Sequence, residues 1–155
     1  MNGIRPMTEA DLDAVVAIEQ VCFPRAWTRQ HFQSELVSPR AAAVVAEKDG
    51  HLAGYLCLTV VLDEAEILDV AVDPAFQGNG IGSLLVQWAV NESIRQGAIV
   101  LRLEVRATST VAIALYKRFG FLIKGIRTAY YENGVDALLM DKNLVEEDGV
   151  CSSRR

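Results

Sequence analysis

Apolar residues recur along the chain with two periods, and the switches between them mark out the elements. Leu12, Val15, Val16 and Glu19 fall at helical spacing behind Thr8 and Asp11, a pair with the character of an N-terminal cap. Thr28 is placed to cap a second short helix carrying Phe32, Leu36 and Val37. Ala41 to Glu47 and Leu52 to Leu62 read as strands joined by a turn at Lys48-Asp49-Gly50. A third strand covers Ala65 to Val72 and stops at Asp73-Pro74. From Gly80, the spacing of Ile81, Leu84, Leu85 and Trp88 predicts a long amphipathic helix that ends at Gly97. Ile99 to Val105 is a further strand, and Ser109 to Phe119 a further helix closed by Gly120, with Val111, Leu115 and Phe119 as its core stripe. Two last strands, Phe121 to Ala129 and Val135 to Asn143, bracket a turn at Glu132-Asn133-Gly134.

With one strand ahead of Thr8 the order is β-α-α-β-β-β-α-β-α-β-β. Hairpins mixed with at least one β-α-β crossover imply an α/β or α+β protein built on a mixed sheet. The 155 residues suit one domain, and no repeat or linker divides them. That domain is expected over residues 1–145, with 146–155 as a mobile polar tail.

Composition narrows the function. Fifteen Lys and Arg against twenty Asp and Glu leave a net charge of -5, so nucleic-acid binding by bulk charge is disfavoured. The three cysteines, Cys22, Cys57 and Cys151, are odd in number, widely spaced and distant from His31 and His51. No disulfide framework and no metal site is expected. The N-terminus lacks the pattern of a signal peptide, and apolar runs such as Ala41 to Ala46 are too short to span a bilayer. A cytoplasmic, soluble protein without a membrane partner is expected.

The most informative stretch is Val70-Ala71-Val72-Asp73-Pro74-Ala75-Phe76-Gln77-Gly78-Asn79-Gly80-Ile81-Gly82-Ser83, which runs from a strand through glycines into a helix N-terminus. Unbonded N–H groups and the positive end of the helix dipole suit an anion such as a pyrophosphate. The G-x-G-x-G spacing differs from the dinucleotide fingerprint G-x-G-x-x-G, and no Gly-Lys-Ser/Thr ending marks a P-loop. A tight strand-to-helix connection without a ligand is the competing explanation.

Gln77-x-x-Gly80-x-Gly82 after Val-Ala-Val-Asp-Pro resembles the acetyl-CoA loop of the GNAT N-acetyltransferases. The likeness runs from about Ile4 to Leu144, through Leu62-Asp63-Glu64-Ala65-Glu66, Leu103-Glu104-Val105-Arg106-Ala107, Ala112-Ile113-Ala114-Leu115-Tyr116, Phe119-Gly120-Phe121 and Ile126-Arg127 to Tyr130-Tyr131. Together these segments resemble the bacterial ribosomal-protein alanine N-acetyltransferases (the RimI type). The resemblance implies a mixed, mostly antiparallel sheet flanked by helices. It implies acetyl-CoA as acetyl donor, with Val70, Ala71 and Val72 along the pantetheine arm and Gln77, Gly78, Asn79, Gly80, Ile81, Gly82 and Ser83 at the pyrophosphate. Ser109 stands where such enzymes often carry a coenzyme-contacting asparagine, and serves equally well as a helix cap.

Acetyl transfer from a thioester to an amine needs a neutral amine, a polarised carbonyl and a proton for the departing thiolate. Glu104 shares a strand face with Arg102 and Arg106, an arrangement that fits either a charge ladder or a general base kept ionised by nearby arginines. The resemblance assigns it as the base. Tyr116 lies one residue around from the expected core stripe, as a rim tyrosine would, and the resemblance assigns it as the general acid. Phe23, Trp27, Tyr130 and Tyr131 either border an acceptor groove or pack locally, and Glu64, Glu66 and Asp69 would favour a cationic acceptor terminus. The expected activity is acetylation of a protein N-terminal α-amine, that of a ribosomal protein's alanine, by direct transfer in a ternary complex. Acetylation of lysine side chains or small amines, and a non-catalytic coenzyme A-binding module, are the alternatives.

Overall fold

The computed structural model describes residues 3–145. Eleven regular elements follow one another in the expected order: β1 (Gly3–Pro6), α1 (Leu12–Cys22), α2 (Arg29–Val37), β2 (Ala41–Lys48), β3 (His51–Val61), β4 (Glu64–Val72), α3 (Ile81–Arg95), β5 (Val100–Arg106), α4 (Thr110–Arg118), β6 (Leu122–Arg127) and β7 (Ala137–Asn143). Single 3-10 turns stand at Glu9–Asp11, Pro74–Phe76 and Glu132–Gly134. The strands form a seven-stranded mixed sheet in the order β1-β2-β3-β4-β5-β7-β6. Among its described pairings only β4 with β5 is parallel. The mixed, mostly antiparallel α+β architecture read from the sequence is borne out.

The described residues fold as two compact units, one built from residues 3–59 with Ile67–Ala89, the other from Val60–Glu66 with residues 90–145. In the first, β1 pairs with β2 and β2 with β3, all antiparallel, and a cluster of Met7, Leu12, Val15, Ile18, Phe32, Val45, Tyr55, Cys57 and Ala71 forms the core. The caps form where the sequence puts them. Asp11 Oδ2 accepts from the Thr8 N–H at 2.8 Å, and Thr28 Oγ1 accepts from the His31 N–H at 3.3 Å. Gly54 of β3 lies so close to β4 that a Cβ there would meet the Ala71 carbonyl oxygen at 2.7 Å.

In the second unit β5 pairs with β7 along its whole length, from Val100↔Asn143 to Arg106↔Ala137, and β6 continues the sheet beyond β7. Leu101, Leu103, Val105, Phe121, Ala137 and Met140 are buried in it. One expectation is corrected here. Val111 is 84% exposed, so it is not part of a core stripe, whereas Tyr116 is only 6% exposed. Ala112, Ile113 and Tyr116, at spacings of three and four, set the inward face of α4, and Val111 points to nearly the opposite side, about 100–160° around the helix from each of them. The last hairpin is also looser than expected. Positive φ at Ala129 (52°) ends β6 before the tyrosines, and the loop is closed by Tyr131 N–H to Val135 O at 2.9 Å.

No helix among the described residues is long and apolar enough to cross a membrane. The tail at 146–155, with Cys151, lies outside the described residues.

Candidate active site

In the first unit, β4 delivers the chain into the glycine turn. The Asp73 N–H donates to Ala53 O at 2.8 Å, and Asp73 Oδ1 accepts from the Ala75 N–H at 2.9 Å, which fixes the exit from the strand. Gly78 and Gly80 both adopt positive φ (82° and 78°), and a Cβ on either would meet nothing within 4 Å. Glycine is therefore required by the backbone, and the loop surface over it stands open. Asn79 turns its amide inward, donating to Phe76 O at 3.0 Å and Gln77 O at 3.4 Å, so it shapes the loop through its side chain.

Gly80 O accepts from the Leu84 N–H at 3.0 Å and so opens the ladder of α3. The N–H groups of Ile81, Gly82 and Ser83 precede the first intrahelical bond and stand at the positive end of a fifteen-residue helix. Ile81 buries its side chain, whereas Gln77 through Gly80 are exposed. An open turn with a row of amide donors fits a pyrophosphate group. The ladder between β4 and β5 consists of Glu64↔Val100, Ala65↔Leu101 and Glu66↔Arg102, so Val70–Val72 lies beyond its end.

In the second unit, Glu104 projects from β5 on the same face as Arg102 and Arg106. The charge ladder among those three, the alternative to a general base, does not form among the described residues. Arg102 pairs with Glu64 at 2.7 Å and Asp141 at 3.7 Å, and Arg106 pairs with Glu132. Glu104 Oε2 is instead met by Arg127 Nε at 3.3 Å. The register explains this. Arg106 on β5 and Arg127 on β6 both stand opposite Ala137 of β7, whose small side chain leaves room for two guanidinium groups.

Each arginine also carries a tyrosine: Arg106 lies 4.4 Å from the Tyr131 ring centroid, and Arg127 lies 5.4 Å from that of Tyr130. The two tyrosine rings meet edge to face at 5.1 Å. Glu104, Tyr130 and Tyr131 are thus brought together, with Arg106 and Arg127 as the connection the sequence reading missed. Glu66 shares the face as well. Burial, then the charge of Glu104, push its carboxyl above the usual range, against the pull of Arg102 and Arg127.

Tyr116 packs its ring 5.7 Å from that of Phe121, buried inside α4 rather than on a rim. Ser109 does stand at the N-cap of α4, but its side chain makes no capping hydrogen bond; its carbonyl accepts from the Ile113 N–H at 3.0 Å. Phe23 and Trp27 are half-buried against the core of the first unit, Trp27 with its ring 5.2 Å from that of Phe32.

Asp69 is no part of an acidic surface. It shares its strand face with Ala65, Ile67 and Ala71, all buried, and is itself 9% exposed. Burial pushes the Cys57 thiol, and to a lesser extent that of Cys22, upward, so neither is an activated nucleophile.

The model of the acetyltransferase (GNAT) family matches residues 12–121. The chain belongs to the GNAT acetyltransferases. A relative from Bacillus subtilis is 42% identical over 140 residues, which are 89% of this chain and 93% of its own. The ribosomal protein bS18-alanine N-acetyltransferase of Escherichia coli strain K12 is 36% identical over 143 residues, covering 90% of this chain and 96% of its own. The crystal structure of the ribosomal-protein-S18-alanine N-acetyltransferase from Escherichia coli superposes with a TM-score of 0.86 at 35% identity, over 95% of this chain and 96% of that one. The GNAT fold and an acetyltransferase activity follow, and the family uses acetyl-CoA.

Proposed function

We propose that this chain acetylates the α-amine of an N-terminal alanine on a ribosomal protein of the bS18 type, in the cytoplasm, with acetyl-CoA as donor. The observation that carries the reading is the match to a bS18-alanine N-acetyltransferase over nine-tenths of the chain. In this reading residues 1–145 work as one acetyltransferase domain. Gln77 to Ser83 hold the diphosphate through backbone amides, Val70–Val72 holds the pantetheine arm through strand-like bonds, and Ser109 adds a hydroxyl contact.

The chemistry asked of the side chains is modest. An α-amine has a pKa of ~7.7–8.0, so freeing it of its proton at pH 7 costs roughly 1–1.4 kcal/mol, against about 4.6 for a lysine. One carboxylate is a sufficient base for that task, and Glu104 takes the role, directly or through a water. Tyr116 returns a proton to the thiolate that departs when transfer occurs directly in the ternary complex. Tyr130 and Tyr131, clamped by two arginines, border the entering peptide, with Phe23 and Trp27 as further acceptor contacts. Glu64 and Glu66 supply negative charge toward an ammonium terminus.

Mass spectrometry tests the reading. The chain and acetyl-CoA meet two peptides at pH 7.5, one with a free N-terminal alanine and no lysine, the other N-blocked with an internal lysine. The account predicts a mass gain on the first alone. Labelling of the second alone would replace the substrate class with lysine side chains.

A further inference from the structure

The first unit buries a carboxylate that the chemistry above does not use. Glu19 of α1 is 2% exposed, a carboxyl side chain deep in the core of that unit. Its Oε1 accepts from the Tyr55 hydroxyl of β3 at 2.5 Å. Its Oε2 accepts from the backbone N–H of Trp27, in the segment between α1 and α2, at 2.9 Å. The third neighbour is Asp69 of β4, whose side chain is hydrogen-bonded to Glu19. Two ionised carboxylates cannot share a hydrogen bond, and Asp69 Oδ2 is buried with no donor of its own. The pair therefore shares one proton, and Asp69, whose carboxyl is raised by burial and by Glu19, is the member that carries it.

We propose that Glu19 is a positioning residue for the acceptor: its carboxyl, anchored by the Tyr55 hydroxyl and bonded to the Trp27 N–H, fixes the Phe23–Trp27 segment and so sets the affinity for the peptide. The inference rests on the reading that Phe23 and Trp27 contact the acceptor. Trp27 is the residue whose backbone Glu19 grips, and its ring packs at a tilt against those of Phe32 and His31 of α2, with centroids 5.2 and 5.9 Å away. The same carboxylate ties that segment to β3 through Tyr55 and to β4 through Asp69. Asp69 is followed directly by Val70–Val72, so one buried cluster sets the acceptor segment against the start of the coenzyme strand.

The surroundings of Asp69 decide what pH does to the device. The groups facing it are Glu19 and Cys22 from α1 and Tyr55 and Cys57 from β3, with Asp73 acting on Cys22 and Glu35 of α2 acting on Cys57. All are acids or weak acids. Burial and the charge of Glu19 push the Asp69 carboxyl up to about 9, so its proton stays in place through neutral pH and leaves above it. Loss of the proton sets two negative charges against each other beneath the Trp27 segment.

Two variants of the full chain test this with an alanine-terminated peptide. Glu19→Gln keeps the volume but has one acceptor oxygen where the carboxylate had two to meet three donors; its peptide KM should rise roughly 5–20-fold with kcat within about twofold. Asp69→Asn keeps a donor toward Glu19 and cannot titrate. Its KM should match wild type within about twofold at pH 7.5, and the rise in KM that wild type shows above about pH 9 should vanish. An unchanged KM in Glu19→Gln, or a fall in kcat alone, overturns the proposal.

A reading of the loop independent of turnover comes from Trp27 emission in a Trp88→Phe background. A pH transition near 9 that Asp69→Asn removes supports the device, and the same transition in both chains overturns it. If wild type acetylates no peptide, the proposed function fails while the emission experiment still decides this inference.

Discussion

Arg127 Nε stands 3.3 Å from Glu104 Oε2, and the same guanidinium lies against the ring of Tyr130. The carboxylate assigned as base and the tyrosine assigned to the acceptor are therefore held by one side chain from β6. Both partners are partly exposed, so the ion pair is worth about 0.2–1 kcal/mol. Replacing Arg127 with Gln should raise the peptide KM by roughly 1.4–5-fold, with acetyl-CoA affinity by calorimetry unaffected. A loss of acetyl-CoA binding instead would place Arg127 on the donor side.

Gly54 and Gly80 should fail in different ways. A Cβ at Gly54 would strike the Ala71 carbonyl oxygen and press Ile81 and Leu85 side chains at 3.2 Å. Gly54→Ala should cost about 1–3 kcal/mol in thermal or denaturant unfolding. A Cβ at Gly80 meets nothing within 4 Å, so Gly80→Ala should cost only left-handed backbone strain of about 1–2 kcal/mol, while acetyl-CoA affinity drops by calorimetry.

Tyr116→Phe keeps the ring that packs on Phe121 and removes the hydroxyl. The melting temperature should move little, and kcat should fall by about 10²-fold or more, as expected for a lost general acid. A rate near wild type would leave Tyr116 with a packing role only.

Asp69 makes stability depend on pH in a defined direction. Its carboxyl is raised in the folded chain, to about 9, from an unfolded value of 3.8. Between those values the folded state holds a proton that the unfolded state has released, so unfolding free energy falls as pH rises. The stability is complete below the unfolded value and is lost on the way up to the folded one. Melting temperatures from pH 5 to 9 should decline more steeply for wild type than for Asp69→Asn. Parallel curves would mean that Asp69 is ionised throughout.

Much of this was legible in the chain. Caps at Thr8 and Thr28, glycine stops at Gly97 and Gly120 and the period of each segment placed the helices and strands from Thr8 onward, because these are local signals. What escaped was long-range. The partner of Glu104 depends on the register of β6 and β7 against β5, which brings Arg127 rather than Arg102 or Arg106 to it. Two misses did leave a trace. Asp69 falls in phase with Ala65, Ile67 and Ala71, and Glu19 sits on the same stripe as Leu12 and Val15. An acid in phase with a core is the mark of a buried carboxyl. The exposure of Val111 left no such trace, since its volume and apolarity suit either face.

The central claim is that the face around Glu104 carries the chemistry on an α-amine. Steady-state kinetics of Glu104→Gln on an alanine-terminated peptide at pH 7, with acetyl-CoA affinity measured alongside, test it most directly. The account predicts a fall in kcat of roughly 10²–10⁴ with donor affinity unchanged, the loss expected for a missing general base. A kcat near wild type in that variant would contradict it.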